Sequence, residues 1–238
     1  MVTIRMNPFR PAIAMIELIF AIVIMGIAMM SAPMLISSAS KSTYVALQQE
    51  GINEAASRIN MIMGYAWDEN NTDDRYTPPI LHVTSGNGDL NMTDIITARR
   101  IGTPLLSQRT FIRSDANNSN LNASSTLGSD GGDIDDIDDF IGDISLTEIE
   151  AASVDYVEQT TININTAIAY ISDSPDGGTY TAQTITFVPF TASGGTTNIK
   201  SITVTLTSTT SLDELEKTII LRAFSCNIGG YELKERLF

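Results

Sequence analysis

Apolar and polar positions along the chain fall into distinct regimes. From Ile13 to Ser37 almost every position is apolar, and between Leu18 and Leu35 there are 18 residues without a charge. As an α-helix this stretch is about 37 Å long at ~1.5 Å per residue, enough to cross a bilayer. From Lys41 to Tyr65 the pattern turns amphipathic. Val45, Ile52, Ala55, Ala56, Ile59 and Met63 recur at helical spacing, while Lys41, Gln48, Glu50, Glu54 and Arg58 take the other positions. The same helix is therefore predicted to continue over 38–66, its apolar stripe serving as core packing. It should end near Trp67, where Asp68 to Asp74 opens a polar loop and Pro78-Pro79 forbids continuation. Pro33 removes a backbone donor and Gly26 is a second weak point, so a bend or loosening of the helix is expected at both.

Further along, alternation with a period of two marks strands. Ile162, Ile164, Ile168 and Tyr170 share one face, Ile185 and Phe187 one face of the next, and Ile202, Val204 and Leu206 one face of a third. Lys217 to Phe224 reads as a fourth strand, apolar on both faces. The links Asp173 to Gly178 and Ser193 to Gly195 are short turn-formers. The expected fold class is α+β: a long N-terminal helix, membrane-spanning in its first half and amphipathic in its second, packed on an antiparallel meander. Between Phe111 and Glu150 the Asn-, Ser- and Asp-rich composition reads as loop, not core.

Composition narrows the function. The 238 residues carry 14 Lys+Arg against 28 Asp+Glu, a net charge of −14, which argues against a nucleic-acid partner. The single cysteine, Cys226, excludes an intrachain disulfide; the single histidine, His82, excludes His-pair metal motifs and weakens a catalytic-triad reading. His82 reads as a structural or surface histidine in a strand, and Cys226 as a buried free thiol. No nucleophile, base and orienting group stand together, so the chain is not expected to be an enzyme. Arg5 and Arg10 precede the apolar run without an acidic residue, which places residues 1–12 in the cytoplasm and the bulk of a single-pass protein outside it. The run is too long for the apolar core of a cleaved secretory signal, ordinarily ~7 to 15 residues. Glu17, in the first turns of this helix, costs roughly 2.5 to 3.5 kcal/mol on insertion scales and needs a partner.

The segment Arg10-Pro-Ala-Ile-Ala-Met-Ile-Glu-Leu-Ile-Phe-Ala-Ile-Val-Ile-Met-Gly-Ile27 resembles the N-terminus of type IV pilins and type II secretion pseudopilins. The resemblance covers residues 10 to 37. It implies that a prepilin peptidase removes a leader, residues 1–12, between Ala12 and Ile13, with Glu17 then the fifth residue. Ala12 stands where Gly is usual and Ile13 where Phe is usual. The new amine at Ile13, subject to methylation in the family, would neutralise Glu17 of a neighbouring subunit. Residues 13–37 would be the transmembrane and later filament-core helix, and 38–238 an extracytoplasmic head. Implied partners are other pilin or pseudopilin subunits, membrane lipid before assembly, an inner-membrane platform protein and a cytoplasmic assembly ATPase. The length left after the leader favours a minor subunit.

The acidic residues are unevenly placed. From Ser114 to Ile199 there is no Lys or Arg but 14 Asp and Glu, and residues 114–145 form the expected acidic loop. Clustered carboxylates in a Gly-containing loop suit calcium, which takes six to eight oxygens, and Asp133, Asp135, Asp136, Asp138 and Asp139 are the candidate ligands. The EF-hand spacing fails, since from Asp133 the fifth position is Ile137 and the sixth Asp138. A solvated acidic loop is the competing expectation. At the level of function, the alternative to a filament subunit is a membrane-anchored adhesin, dependent on calcium or another ligand, that never polymerises.

Overall fold

The computed structural model describes residues 10–91, 98–100, 103–104, 109–113, 117, 120–129, 132–147, 161–177, 179–188, 190–209 and 217–231. The chain forms two compact units, Met1–Gln49 and Glu50–Phe238. One long helix, α1 (Arg10–Ile62), contributes to both.

In the first unit every described side chain from 15 to 39 is exposed. This helix is long and apolar enough to cross a membrane. α1 continues as helix through both Gly26 and Pro33. Pro33 removes only the bond its amide would make to Met29, and the surrounding Leu, Met, Ala and Ile hold their helical bonds. Ser31 Oγ donates to the Ala28 carbonyl at 2.9 Å, one turn before the proline.

In the second unit, α1 from Glu50 onward packs on a four-stranded sheet. The strands are β1 (Gly142–Thr147), β2 (Thr161–Ile171), β3 (Ile199–Thr209) and β4 (Thr218–Cys226), in the order β1-β2-β3-β4 with every pair antiparallel. Register puts Ile164 opposite both Ile144 and Leu206, Ile168 opposite Ile202, and Tyr170 opposite Lys200. The inner face of β2 and β3 is thus Ile162, Ile164, Thr166, Ile168 and Tyr170 against Lys200, Ile202, Val204 and Leu206, all buried. Gly51 lets the helix approach: a Cβ there would lie 2.8 Å from Leu206 Cδ1 and 3.3 Å from Ile162. The helical stripe that packs is Gly51, Ala55, Arg58 and Ile62. Arg58 belongs to it although its charge suggested the solvent side, because Nε donates to Thr166 Oγ1 at 2.6 Å and Nη2 to the Phe140 carbonyl at 2.9 Å. Val45 and Met63, expected in the stripe, are exposed.

Several expectations are corrected. The helix ends at Ile62, not near Trp67, because the chain tightens: Gly64 donates to the Met61 carbonyl and Tyr65 to that of Ile62, and glycine is a poor helix former. Ile185 and Phe187 lie in no strand and are exposed; the position beside β2 that a simple meander would give their segment is taken by β3, with β1 on the other side. The missing strand comes instead from the acidic stretch, as β1. That stretch is not all loop, since Ile137 and Phe140 are buried. The strand at Lys217 to Phe224 exists as β4, but as an edge: Ile220 and Phe224 are exposed, 49 % and 56 %. His82 makes only an isolated bridge, to Asn122, and its ring lies 4.9 Å from that of Phe111. Cys226 is a free thiol, half-buried at the end of β4, and desolvation pushes it up from its ordinary range.

Candidate functional site

Each unit holds one feature with chemical consequences. In the first it is the exposed apolar helix itself. Glu17 is exposed on it among Met15, Ile16, Leu18, Ile19 and Phe20, each more than half accessible. Among the described residues Glu17 has no ion-pair partner. Exposed apolar surface of this extent is the kind that marks a membrane or protein interaction site. Ala12 and Ile13 fall in the first turn of α1, and their side chains lie outside the described residues.

In the head the feature is a buried lysine. Lys200 sits on β3 in phase with Ile202, Val204 and Leu206, so strand geometry alone drives its side chain into the core. It is 0 % exposed. Its Nζ contacts Asp138 Oδ1 and lies 3.1 Å from Asp68 Oδ2. Aromatic faces close the site: Nζ is 4.8 Å from the centre of the Trp67 ring and 5.4 Å from that of Tyr170. Trp67 is fixed by its Nε1 donating to the Ser225 carbonyl at 3.2 Å, and Tyr170 by its hydroxyl donating to the Ser124 carbonyl at 2.7 Å. Burial, then the Asp68 charge, pushes the Tyr170 phenol up, so it stays neutral.

The two carboxylates differ in their support. Asp68 Oδ1 accepts from the Asn70 amide at 3.3 Å and Ser124 Oγ at 3.1 Å, and Oδ2 from the Ser124 amide at 2.9 Å. Asp138 Oδ2 accepts from the Gly128 amide at 3.2 Å. The strap 135–139 holds Asp138 by its own turns: Asp136 Oδ1 accepts from the amides of Asp138 at 2.7 Å and Asp139 at 3.3 Å, and Asp139 Oδ2 from those of Asp135 at 3.0 Å and Asp136 at 3.2 Å. The strap is tied to the chain after the helix by the Ile137 amide donating to the Ala66 carbonyl at 3.0 Å.

The calcium candidates are therefore divided. Asp136 and Asp138 turn inward, toward Lys200; Asp133 is exposed; Asp135 and Asp139 are half-buried at the strap. Among the described residues no group of three or more His, Cys, Asp or Glu converges as metal ligands. The cation that Asp138 faces is an ammonium, which a calcium ion would have to displace. Lys200 itself escaped the sequence reading, although its signal was present: it is the first basic residue after Arg113 and falls on the apolar phase of a strand.

The Lys200 ammonium reaches two of the three carboxyls, Asp68 and Asp138, and the third, Asp136, lies beside them. Asp136 is pushed up to about 7, first by desolvation and then by the Asp138 charge, with Lys200 opposing. A carboxyl raised above its unfolded value of 3.8 makes the folded state hold more protons than the unfolded one. Stability should then fall as pH rises from about 4 to about 7. Asp136→Asn keeps the Oδ1 acceptor and removes the titration. We expect it to melt a few degrees above the parent at pH 8, at about 2–4 °C per kcal/mol for a domain this size, the gap closing as pH falls toward 4. Melting curves that stay parallel over this range would show that Asp136 does not titrate there.

A second polar cluster clamps the loop 80–90 to the sheet. Asn227 accepts from the Leu81 amide at 3.0 Å and donates to its carbonyl at 2.8 Å. Asp173 accepts from Asn198 Nδ2 at 2.6 Å and the Asn87 amide at 2.9 Å. Every partner there is satisfied within the fold, which marks it as structural.

No family model, curated protein or solved structure matches the chain.

Proposed function

We propose that the chain is a structural subunit, of the minor kind, of a type IV pilus or a type II secretion pseudopilus. The observation that carries this reading is the exposed, uncharged run of α1 that follows Glu17 and leads to a helix docked on an antiparallel sheet. A lone carboxylate near the start of such a run needs a cation inside lipid or inside a bundle of like helices, and a cleaved amine at Ile13 of another copy supplies one. In this reading the chain inserts with its N-terminus in the cytoplasm, the prepilin peptidase cuts before Ile13, and the helix is extracted from lipid into a filament core. The platform protein and the assembly ATPase drive that extraction, and the work of the chain is mechanical.

The test is the mass of the chain recovered from native membranes. The N-terminus is expected at Ile13, with or without one methyl group. Recovery of residues 1–12 from cells that hold an active prepilin peptidase would sink the processing step and with it the filament reading.

A further inference from the structure

We propose that Lys200 and Asp138 become joined, in the folded head, by an intramolecular amide bond between Nζ and Cγ with loss of water. The inference rests on the head alone and is independent of the filament reading. An amine and a carboxyl condense when they are held in contact, kept from water and supplied with a group to move the proton. The head provides each of these.

Contact is enforced from two separate elements. Lys200 is fixed by the register of β3, and Asp138 by the strap whose amides bind Asp136 and Asp139. Neither side chain can relax into solvent, because Lys200 is 0 % and Asp138 2 % exposed. Held so, the reaction is unimolecular, and well-oriented pairs react at effective molarities far above any free concentration. Water is kept out by the rings of Trp67 and Tyr170 over Nζ. A dry site narrows the gap between the ion pair and the neutral amine and acid that condensation requires, since both charges lose their hydration.

The step balances within the three residues. One proton passes from the Lys200 ammonium to Oδ1 of Asp138, giving a neutral amine and a neutral acid. The nitrogen lone pair attacks Cγ, and the negative charge that develops on Oδ2 is met by the Gly128 amide already directed at it. Asp68, 3.1 Å from Nζ, takes the second proton from the nitrogen and returns it to the Oδ1 hydroxyl. That oxygen leaves as water, and Asp68 ends as it began, an anion. No oxidant, cofactor or activated donor is needed. Asp138 is the acyl partner and Asp68 the proton carrier, because five hydrogen bonds from groups other than Lys200 already reach the Asp68 oxygens while Asp138 accepts one from such a group, the Gly128 amide, at its side-chain oxygens. The product leaves no polar atom stranded: its carbonyl keeps the Gly128 amide and its N–H faces Asp68. Two buried charges, which are costly away from water, become one neutral amide, and Asp68, which gives up its cation, keeps the Asn70 and Ser124 donors and gains the new N–H.

The sequence makes the test direct. Trypsin cleaves after Arg113, Lys200 and Lys217, with no basic residue between Ser114 and Ile199. If the bond forms, Lys200 is not cut, and digestion of the denatured full-length chain yields one peptide, Ser114 to Lys217, lighter by one water. Further cleavage after Glu148, Glu150 and Glu158 should leave a branched product in which the Asp138 and Lys200 segments stay joined. Asp68→Asn should lower the linked fraction at least tenfold, and Lys200→Arg should abolish it. Separate peptides Ser114 to Lys200 and Ser201 to Lys217 at full mass from the parent chain would overturn the proposal. A branch from Lys200 to Asp68 would overturn the choice of Asp138, and an undiminished linked fraction in Asp68→Asn would overturn the proton relay.

Discussion

Lys200→Met is expected to destabilise the head by about 3–5 kcal/mol, because removing one partner of a buried ion pair strands the other. Asp68 and Asp138 would then face each other, and Asp136 beside them, with no cation in a site closed by Trp67 and Tyr170. Methionine fills nearly the volume of the lysine stem, so a cavity contributes little to the loss. For a domain of this size the figure corresponds to a fall of about 6–20 °C in melting temperature. Removing an amide at this position adds to the loss, so the figure is a lower bound. Trp67, the chain's one tryptophan, lies 4.8 Å from Nζ, and its fluorescence in the full chain in detergent reports the transition. Lys200→Met/Asp68→Asn/Asp138→Asn removes the stranded charges along with the lysine and should recover the electrostatic part of the loss. An unchanged midpoint in Lys200→Met alone would show that the carboxylates find another partner.

The same lysine shows where sequence reading stops. β2 and β3 were legible because their alternation is strict and long: five inward positions in β2 and four in β3 fall in phase. The long helix was legible for the same reason, since an unbroken apolar run has one cheap conformation in lipid. Composition obscured the rest. Gly142–Thr147 alternates properly, with Ile144 and Leu146 in register with Ile164 and Ile162, yet it follows an Asp-rich run that reads as solvated loop. Ile185 and Phe187 are likewise two in-phase apolar residues, but both sides of β2 are taken by β1 and β3. The inward turn of Asp136 and Asp138 depends on Lys200, more than sixty residues away along the chain. A long-range pairing of charges leaves no local periodicity. What the sequence did contain was a lone lysine on the apolar phase of a strand, which obliges the fold to bring acids to it.

Glu17→Ala is expected to separate two properties that a plain membrane anchor keeps together. The substitution removes a carboxylate from an apolar helix, so insertion should be unchanged or improved, in line with the roughly 2.5 to 3.5 kcal/mol that a charge costs at the helix centre on insertion scales. Incorporation into filaments should fall at least tenfold, because the amine at Ile13 of the neighbouring copy loses its counter-charge in the filament core, where no water replaces it. A tenfold loss corresponds to about 1.4 kcal/mol, well within what a buried charge pair loses when one partner goes. Comparing the parent and variant in membrane and sheared-filament fractions of the same cells reads both effects. A variant that reaches the membrane normally but not the sheared fraction fits a subunit whose assembly contact is Glu17. An adhesin that never polymerises predicts a different result, with both proteins confined to the membrane fraction. Equal amounts of parent and variant in the sheared fraction would remove Glu17 from the assembly contact.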